Sequence, residues 1–416
     1  MESRKMNFWK VLGPGLLYAG TAVGVSHLVQ STRAGAMFNF DLVWILIIAN
    51  ILKYPFFEFG TRYAVATGKN LVDGYAAVGK WAVVLFAAIS FFSMFILQAA
   101  VTVVTVGLIA YVFKFTISMV ELSAVILIIS GLILLIGKFS FLEKLMKFVI
   151  VLLAVSTMVA VFSALGIDKQ IDPDSIMHFT WSRKADMMFL IVFVGWMPAP
   201  IDVSVWSSIW TVEKNREIGF KPALKDSLFE FNVGYIGTAI LAIGFLSLGA
   251  LVMYGTGEHL SEKGPVFAGQ LISMYASSIG PWALWIVSIA AFTTMFSTTI
   301  TAMDAYSRMI PSIFHYLTPK EDCLFKKTWF WLLILLLGAL VIINFFASSM
   351  LMMVDAATAM SFVTAPVLAY INYRVITGSG MPEEAKPGKA LRVLSWVGII
   401  FFTVFTIVYL YWRIFV

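Results

Sequence analysis

Gly195-Trp196-Met197-Pro198-Ala199-Pro200-Ile201-Asp202-Val203-Ser204 puts two prolines and a carboxylate into the middle of a membrane-length apolar segment. Apolar sequence runs from Met187 to Val194 before it and from Val203 to Trp210 after it. At about 1.5 Å per residue the two pieces together make roughly one bilayer thickness. Pro198 and Pro200 each lack an N–H and disfavour helical backbone at the preceding residue. The stretch therefore predicts two half-helices joined by unwound backbone. At membrane depth such backbone is tolerated only where it is buried in protein or lines a wet cavity, which makes this stretch a candidate binding site.

The surrounding composition sets the class. Of 416 residues, 60% are hydrophobic and 12% charged, against roughly 25% charged in an ordinary soluble domain. The chain reads as an all-α polytopic membrane protein, with the lipid bilayer as its main partner. A net charge of +6 is explained below by topology, so no nucleic-acid partner is expected. Cys323 alone makes neither an intramolecular disulfide nor a thiolate metal cage, and reads as a free surface thiol. No cleavable signal is expected, because Met1 to Lys10 is short and polar and the first apolar segment carries Gly-Pro-Gly. Oligomeric state is not legible.

Eleven apolar spans fall near residues 12–36, 42–66, 81–113, 116–137, 145–166, 187–210, 229–254, 281–307, 329–349, 351–373 and 393–414. Some are long enough to require tilt or a run-on into water. A weakly amphipathic piece, Val266 to Ser278, is expected along the interface. With the N-terminus placed in the cytoplasm, twenty-one of the 29 Lys and Arg residues fall on the cytoplasmic side and six outside, with Arg33 and Lys53 inside spans. The positive-inside rule thus predicts a multi-pass protein of the cell membrane with a cytoplasmic N-terminus and an external C-terminus.

Span one resembles span six in being poorly suited to continuous helix. Gly13-Pro14-Gly15-Leu16-Leu17-Tyr18-Ala19-Gly20-Thr21-Ala22-Val23-Gly24-Val25-Ser26-His27 holds four glycines and a proline ahead of the polar Ser26 and His27. Broken segments five spans apart point to an inverted-repeat transporter with its site at the midplane, working by alternating access. The expected units are a first repeat, 1–166, a second repeat, 167–377, and a peripheral eleventh span, 378–416.

Gly13-Pro14-Gly15-Leu16-Leu17, Ala34-Gly35-Ala36, Leu52-Lys53-Tyr54, Glu58-Phe59-Gly60-Thr61-Arg62 and Thr67-Gly68-Lys69-Asn70-Leu71 resemble the start of the Nramp family of proton-coupled divalent-metal transporters. Met197-Pro198 and Ser297-Thr298-Thr299-Ile300-Thr301 extend the likeness over most of the chain. The resemblance implies an inverted five-helix repeat of the leucine-transporter type plus an eleventh helix, and secondary-active transport of a Mn- or Fe-like ion. It also exposes departures. The family's Asp-Pro-Gly-Asn metal motif falls on Gly24-Val25-Ser26-His27, and its Met-Pro-His-Asn on Met197-Pro198-Ala199-Pro200. Of the family's ligands only the methionine remains. The third span, Trp81 to Phe113, contains no Asp or Glu, so proton coupling by the family's usual route is not expected.

Candidate metal ligands are Met197, a soft thioether, His27, an imidazole, and Asp202, which would supply the lost anionic charge. Ser26, Gly24 and Ala199 complete the candidate substrate site. Each has a plainer reading: Asp202 as a carboxylate in the first turn of the second half-helix, His27 as a hydrogen-bonded packing histidine, Met197 as core. Glu58 with Arg62, and Asp304 with Arg308, stand at i, i+4 and read as ion pairs, structural or gating. Lys53 shares the second span with the first pair and is read with it. Arg33 would oppose a cation if it faced the cavity. Asp355 reads as a solvated helix start or a cation-admitting residue at the mouth. Trp181, Trp196, Trp206 and Trp210 read as interface or packing aromatics.

No soluble catalytic pattern is present: there is no Gly-Lys phosphate loop and no His-Glu-x-x-His, and Ser26 and Ser204 have no visible base. The chain is therefore not read as an enzyme, and no cofactor is expected. The alternative to a metal is a small organic or other non-metal solute on the same scaffold, because loss of the family's Asp and Asn leaves a less polar pocket.

Overall fold

A computed structural model describes residues 14–115, 117–136, 139–219, 222–318, 323–346 and 348–415. The polar start of the chain, through Gly13, lies outside the described residues, as do several loop lysines used in the charge count. Among the described residues, eight helices are long and apolar enough to cross a membrane. These are α3 (Val43–Thr67), α5 (Lys80–Phe113), α6 (Met119–Ile136), α10 (Leu224–Val252), α12 (Ala283–Leu317), α13 (Thr328–Phe346), α14 (Met350–Thr377) and α15 (Lys389–Phe415). The fifth expected span is α7 (Phe139–Ala164).

The first and sixth spans are interrupted. Span one is α1 (Pro14–Ala22), a bend, six residues of π-helix (Ser26–Ser31) and α2 (Thr32–Phe38). Span six is α8 (Lys184–Gly195), seven residues of turn, and α9 (Val203–Ile218). The Met197-Pro198 peptide within that turn is cis. Two short helices sit at matching places in the halves: α4 (Leu71–Val78) before the third span and α11 (Gly264–Ile279) before the eighth. Each ends on a glycine of positive φ followed two residues later by a tryptophan, Gly79 with Trp81 and Gly280 with Trp282. The local likeness of the halves thus reaches the connections. α11 covers the piece expected along the interface; α4 falls between the second and third expected spans, and its N-terminus is set by a capping box of Asn70 and Asp73.

The broken spans run through the centre. α10 packs on α1, the π segment, α2 and α3; α9 packs on α3; and α12 lies between α5, α6 and α7. α15 packs on α14 and α3 at the periphery. Close approach is licensed by glycines: a Cβ on Gly195 would run into the Thr358 carbonyl of α14, and one on Gly24 would meet the Thr298 side chain of α12 at 3.0 Å. Buried charge is compensated at the α1 start, where the Glu230 carboxylate accepts from Gly15 N–H at 2.9 Å.

Candidate substrate site at the two helix breaks

A helix that stops inside the protein leaves its last carbonyls without intrahelical donors. At the second break these are the carbonyls of Val194, which keeps one turn bond from Met197 N–H at 3.1 Å, of Gly195 and, within the turn, of Ala199. All three accept from one group, the Nζ of Lys53 on α3, at 2.8, 2.8 and 3.2 Å. Lys53 is fully buried, with the Phe402 ring centroid 5.9 Å from its nitrogen. An ammonium has three N–H donors and the cluster offers three acceptors. The sequence reading, which grouped Lys53 with Glu58 and Arg62, missed this. A signal was present: Glu58 is already committed to Arg62 at i+4, which leaves Lys53 as a cation inside an apolar span with no partner on its own helix.

Asp202 stands at the start of α9. Its Oδ2 accepts from the Tyr306 hydroxyl of α12 at 3.4 Å. Its buried Oδ1 has no well-formed hydrogen bond, and the carboxylate makes no side-chain cap on the helix it precedes. It is an electrostatic neighbour of Lys53. An unpaired ion in this setting costs several kcal/mol, roughly, and with no direct ion pair between them the two opposite charges offset only part of that cost for each other.

The first break is closed differently. Thr298 Oγ1 of α12 lies 3.2 Å from Gly20 O and 3.5 Å from Val23 O, and also 3.1 Å from Thr294 O of its own helix. One hydroxyl proton is shared among three acceptors. Beyond the bend, Ser26 Oγ approaches Ala22 O at 2.7 Å and His27 Nδ1 at 2.7 Å, while His27 Nε2 lies 2.9 Å from Thr238 O. A carbonyl can only accept, so Nε2 carries a proton, and Nδ1 is engaged with Ser26. Both ring nitrogens of the candidate ligand His27 are thus engaged within the protein, Nδ1 with Ser26 and Nε2 with Thr238 O. Met197 is fully buried in the turn.

Between the breaks lies a narrow cavity with about 30 Å³ of room for water-sized groups. Val25, Leu97, Val101, Val203, Ala302 and the Trp206 ring make its walls apolar, with Thr21, Ser26 and Thr298 as polar members and Ala199 at the second break. His27, Met197 and Asp202 do not line it. The Trp206 Nε1–H is buried with no partner, and its ring meets Tyr306 edge-on at 5.0 Å between centroids. Trp206, read from sequence as packing, is thus a second group that sequence reasoning missed. Among the described residues no group of three or more His, Cys, Asp or Glu side chains is placed to hold a metal ion.

Ion pairs flank this centre. Glu58 pairs with Arg62, which also donates to Ala385 O at 3.0 Å. Asp304 accepts from Arg308 Nε at 2.7 Å and from Trp210 Nε1 at 2.9 Å, so both pairs expected from i, i+4 spacing form. Asp355, near the start of α14, stays 35% exposed, but its carboxylate is not free. It accepts from Arg33 at 2.6 and 3.3 Å and from Gln30 at 3.1 Å, tying the first span to α14. Arg33 lies 5.2 Å over the Phe189 ring and is not turned into the cavity.

Two interrupted helices packed against each other in a bundle of apolar spans define a transporter fold of the inverted-repeat type. Solved structures agree at the level of fold. A mutant form of the Eremococcus coleocola manganese transporter superposes with a TM-score of 0.67 at 14% identity, covering 98% of this chain and 88% of that one. MhsT in complex with L-phenylalanine gives 0.60 at 15% identity over 95% and 98%. A nucleobase-cation-symport-1 family transporter with bromovinylhydantoin bound gives 0.57 at 13% identity over 97% and 92%. Residues 15–412 match the family described as natural resistance-associated macrophage protein-like, and the chain belongs to that family, Nramp. An uncharacterized protein of Pasteurella multocida is 37% identical over 402 residues, 96% of this chain and 91% of that protein. A metal transporter nramp1 homolog of Dictyostelium discoideum is 29% identical over 75 residues, 17% of this chain and 14% of that protein.

Proposed function

We propose that this protein is a secondary-active transporter of the cell membrane that moves its cargo by alternating access through the cavity between the two broken helices. The N-terminus is cytoplasmic and the C-terminus external, as the lysine and arginine distribution supports, and the repeats meet near residue 166. The cargo is a small, largely apolar organic solute carrying a hydrogen-bond acceptor. The observation that carries this reading is the cavity itself: its walls are apolar, the Trp206 ring that lines it carries a buried N–H without a partner, and the carbonyls at the neighbouring break are already held by Lys53. A divalent ion about 5 Å from an ammonium is opposed by about 7 kcal/mol at an effective dielectric near 20. Proton coupling of the family's usual kind is not part of the proposal, because α5 carries no Asp or Glu and Ala199 stands in the motif position of histidine.

A divalent metal as cargo is the second reading. Family membership favours it, and so do two donors at the second break: the Met197 thioether and the free Oδ1 of Asp202. Met197, Asp202 and backbone carbonyls would then form the site, with a bias toward softer ions over Mg and Ca. Uptake into proteoliposomes separates the two. Saturable entry of Mn²⁺ or Cd²⁺ that competes between ions overturns the solute reading. Tryptophan-fluorescence quenching that Trp206→Phe abolishes, and counterflow by a neutral or zwitterionic solute, with Mn²⁺ inert, supports it.

A further inference from the structure

We propose that Lys53 is a specificity-determining residue: a tethered cation that holds the carbonyl cluster at the end of α8 and shuts it to free inorganic cations. This goes beyond the cargo reading, since it concerns the cation position and not the solute cavity. The end of α8 is where the partial negative charge of a helix collects, and its unwound continuation adds a further carbonyl. Three backbone oxygens turned toward one point, with a carboxylate near by, are the makings of a site for a bare cation. Here the point is occupied by the chain itself. The three contacts of 2.8, 2.8 and 3.2 Å match an ammonium's three donors and exceed what a neutral amine can donate. The aliphatic stem of Lys53 is sealed from solvent, and Asp202 supplies an opposing charge. The positive charge that such a break would otherwise draw from solution is therefore built in, and it arrives with a fixed geometry.

The experiment uses the full chain purified in detergent and reads the thermal unfolding midpoint. For the native protein, NaCl, MnCl₂ and CdCl₂ produce no saturable shift beyond an ionic-strength control. Lys53→Ala lowers the midpoint by roughly 5–10 °C. n-Propylammonium restores at least half of that loss saturably, whereas tetramethylammonium, which has charge but no N–H donor, does not. Lys53→Met keeps the stem volume without charge, and it gains a saturable response to Na⁺ or Mn²⁺ that the native protein lacks. Saturable stabilisation of the native protein by any of the three salts overturns the proposal. So does a Lys53→Ala protein that both amines restore equally or neither restores. If neither variant yields folded protein, the native-protein arm decides. Mn²⁺ uptake by a native protein that no salt stabilises would overturn the cargo reading and leave this inference standing.

Discussion

The two breaks solve one problem, the loose carbonyls of an interrupted helix, with unequal means. At the first, a single hydroxyl proton of Thr298 is divided among Gly20 O, Val23 O and Thr294 O. At the second, three ammonium protons meet three carbonyls one to one. A shared neutral contact is weak and easily exchanged; a matched charged one is strong and hard to leave. The first break is thus the adaptable wall of the cavity and the second its fixed one. The packing repeats the contrast, since Gly24 faces a side chain that can rotate and Gly195 faces the backbone of α14.

The largest test of that contrast is charge removal at the second break. Lys53→Met leaves the Gly195 and Ala199 carbonyls without a donor and Asp202 without its opposing charge, and should cost about 3–5 kcal/mol. Adding Asp202→Asn should recover part of that loss, a coupling that a double-mutant cycle of unfolding measures. Simple additivity would mean that the two charges do not share one site. Next comes Gly195→Ala, whose methyl meets backbone and should cost about 3 kcal/mol. Gly24→Ala should cost about 1 kcal/mol by turning Thr298 aside. Equal effects at the two glycines would remove the distinction between a fixed and an adaptable wall.

Smaller still, Thr298→Val deletes a donor that was already divided, and should cost about 1 kcal/mol while leaving cargo binding within a few-fold. A loss as large as that of Lys53→Met would show that the first break is held as tightly as the second. The smallest effect belongs to the partly exposed Arg33 and Asp355 pair. Asp355→Asn should change stability by less than about 1 kcal/mol, and it should act on the rate of exchange between open and closed forms, read by solute counterflow. No change in counterflow would mark the pair as decoration on the α2 and α14 surface.

Much of the site could be read in the chain before its structure. Pro198, Pro200 and the glycines of the first span are local signals, and the interruptions fall at 23–25 and 196–202, where those residues stand. The i, i+4 pairs of Glu58 with Arg62 and Asp304 with Arg308 were equally legible, because helix geometry alone brings them together. His27 was not. Its type and position suited a metal, but its ring nitrogens are decided by Ser26 beside it and by Thr238 O, 211 residues away. Asp355 was read as a solvated helix start or a cation-admitting residue for the same reason, since its partner Arg33 is 322 residues distant.

Everything that depends on composition and on neighbours along one helix follows from the order of residues alone: an all-helical membrane protein, its spans, its two interruptions, and a third span without carboxylates. Which group fills each interruption is settled only in the folded bundle. Lys53 reaches Val194 across 141 positions and Thr298 reaches Gly20 across 278. A lone lysine in an apolar span announces that a partner exists, because burying an unpaired ammonium is costly. Which carbonyls it finds depends on how α3 packs against the end of α8, and that is a property of the whole bundle.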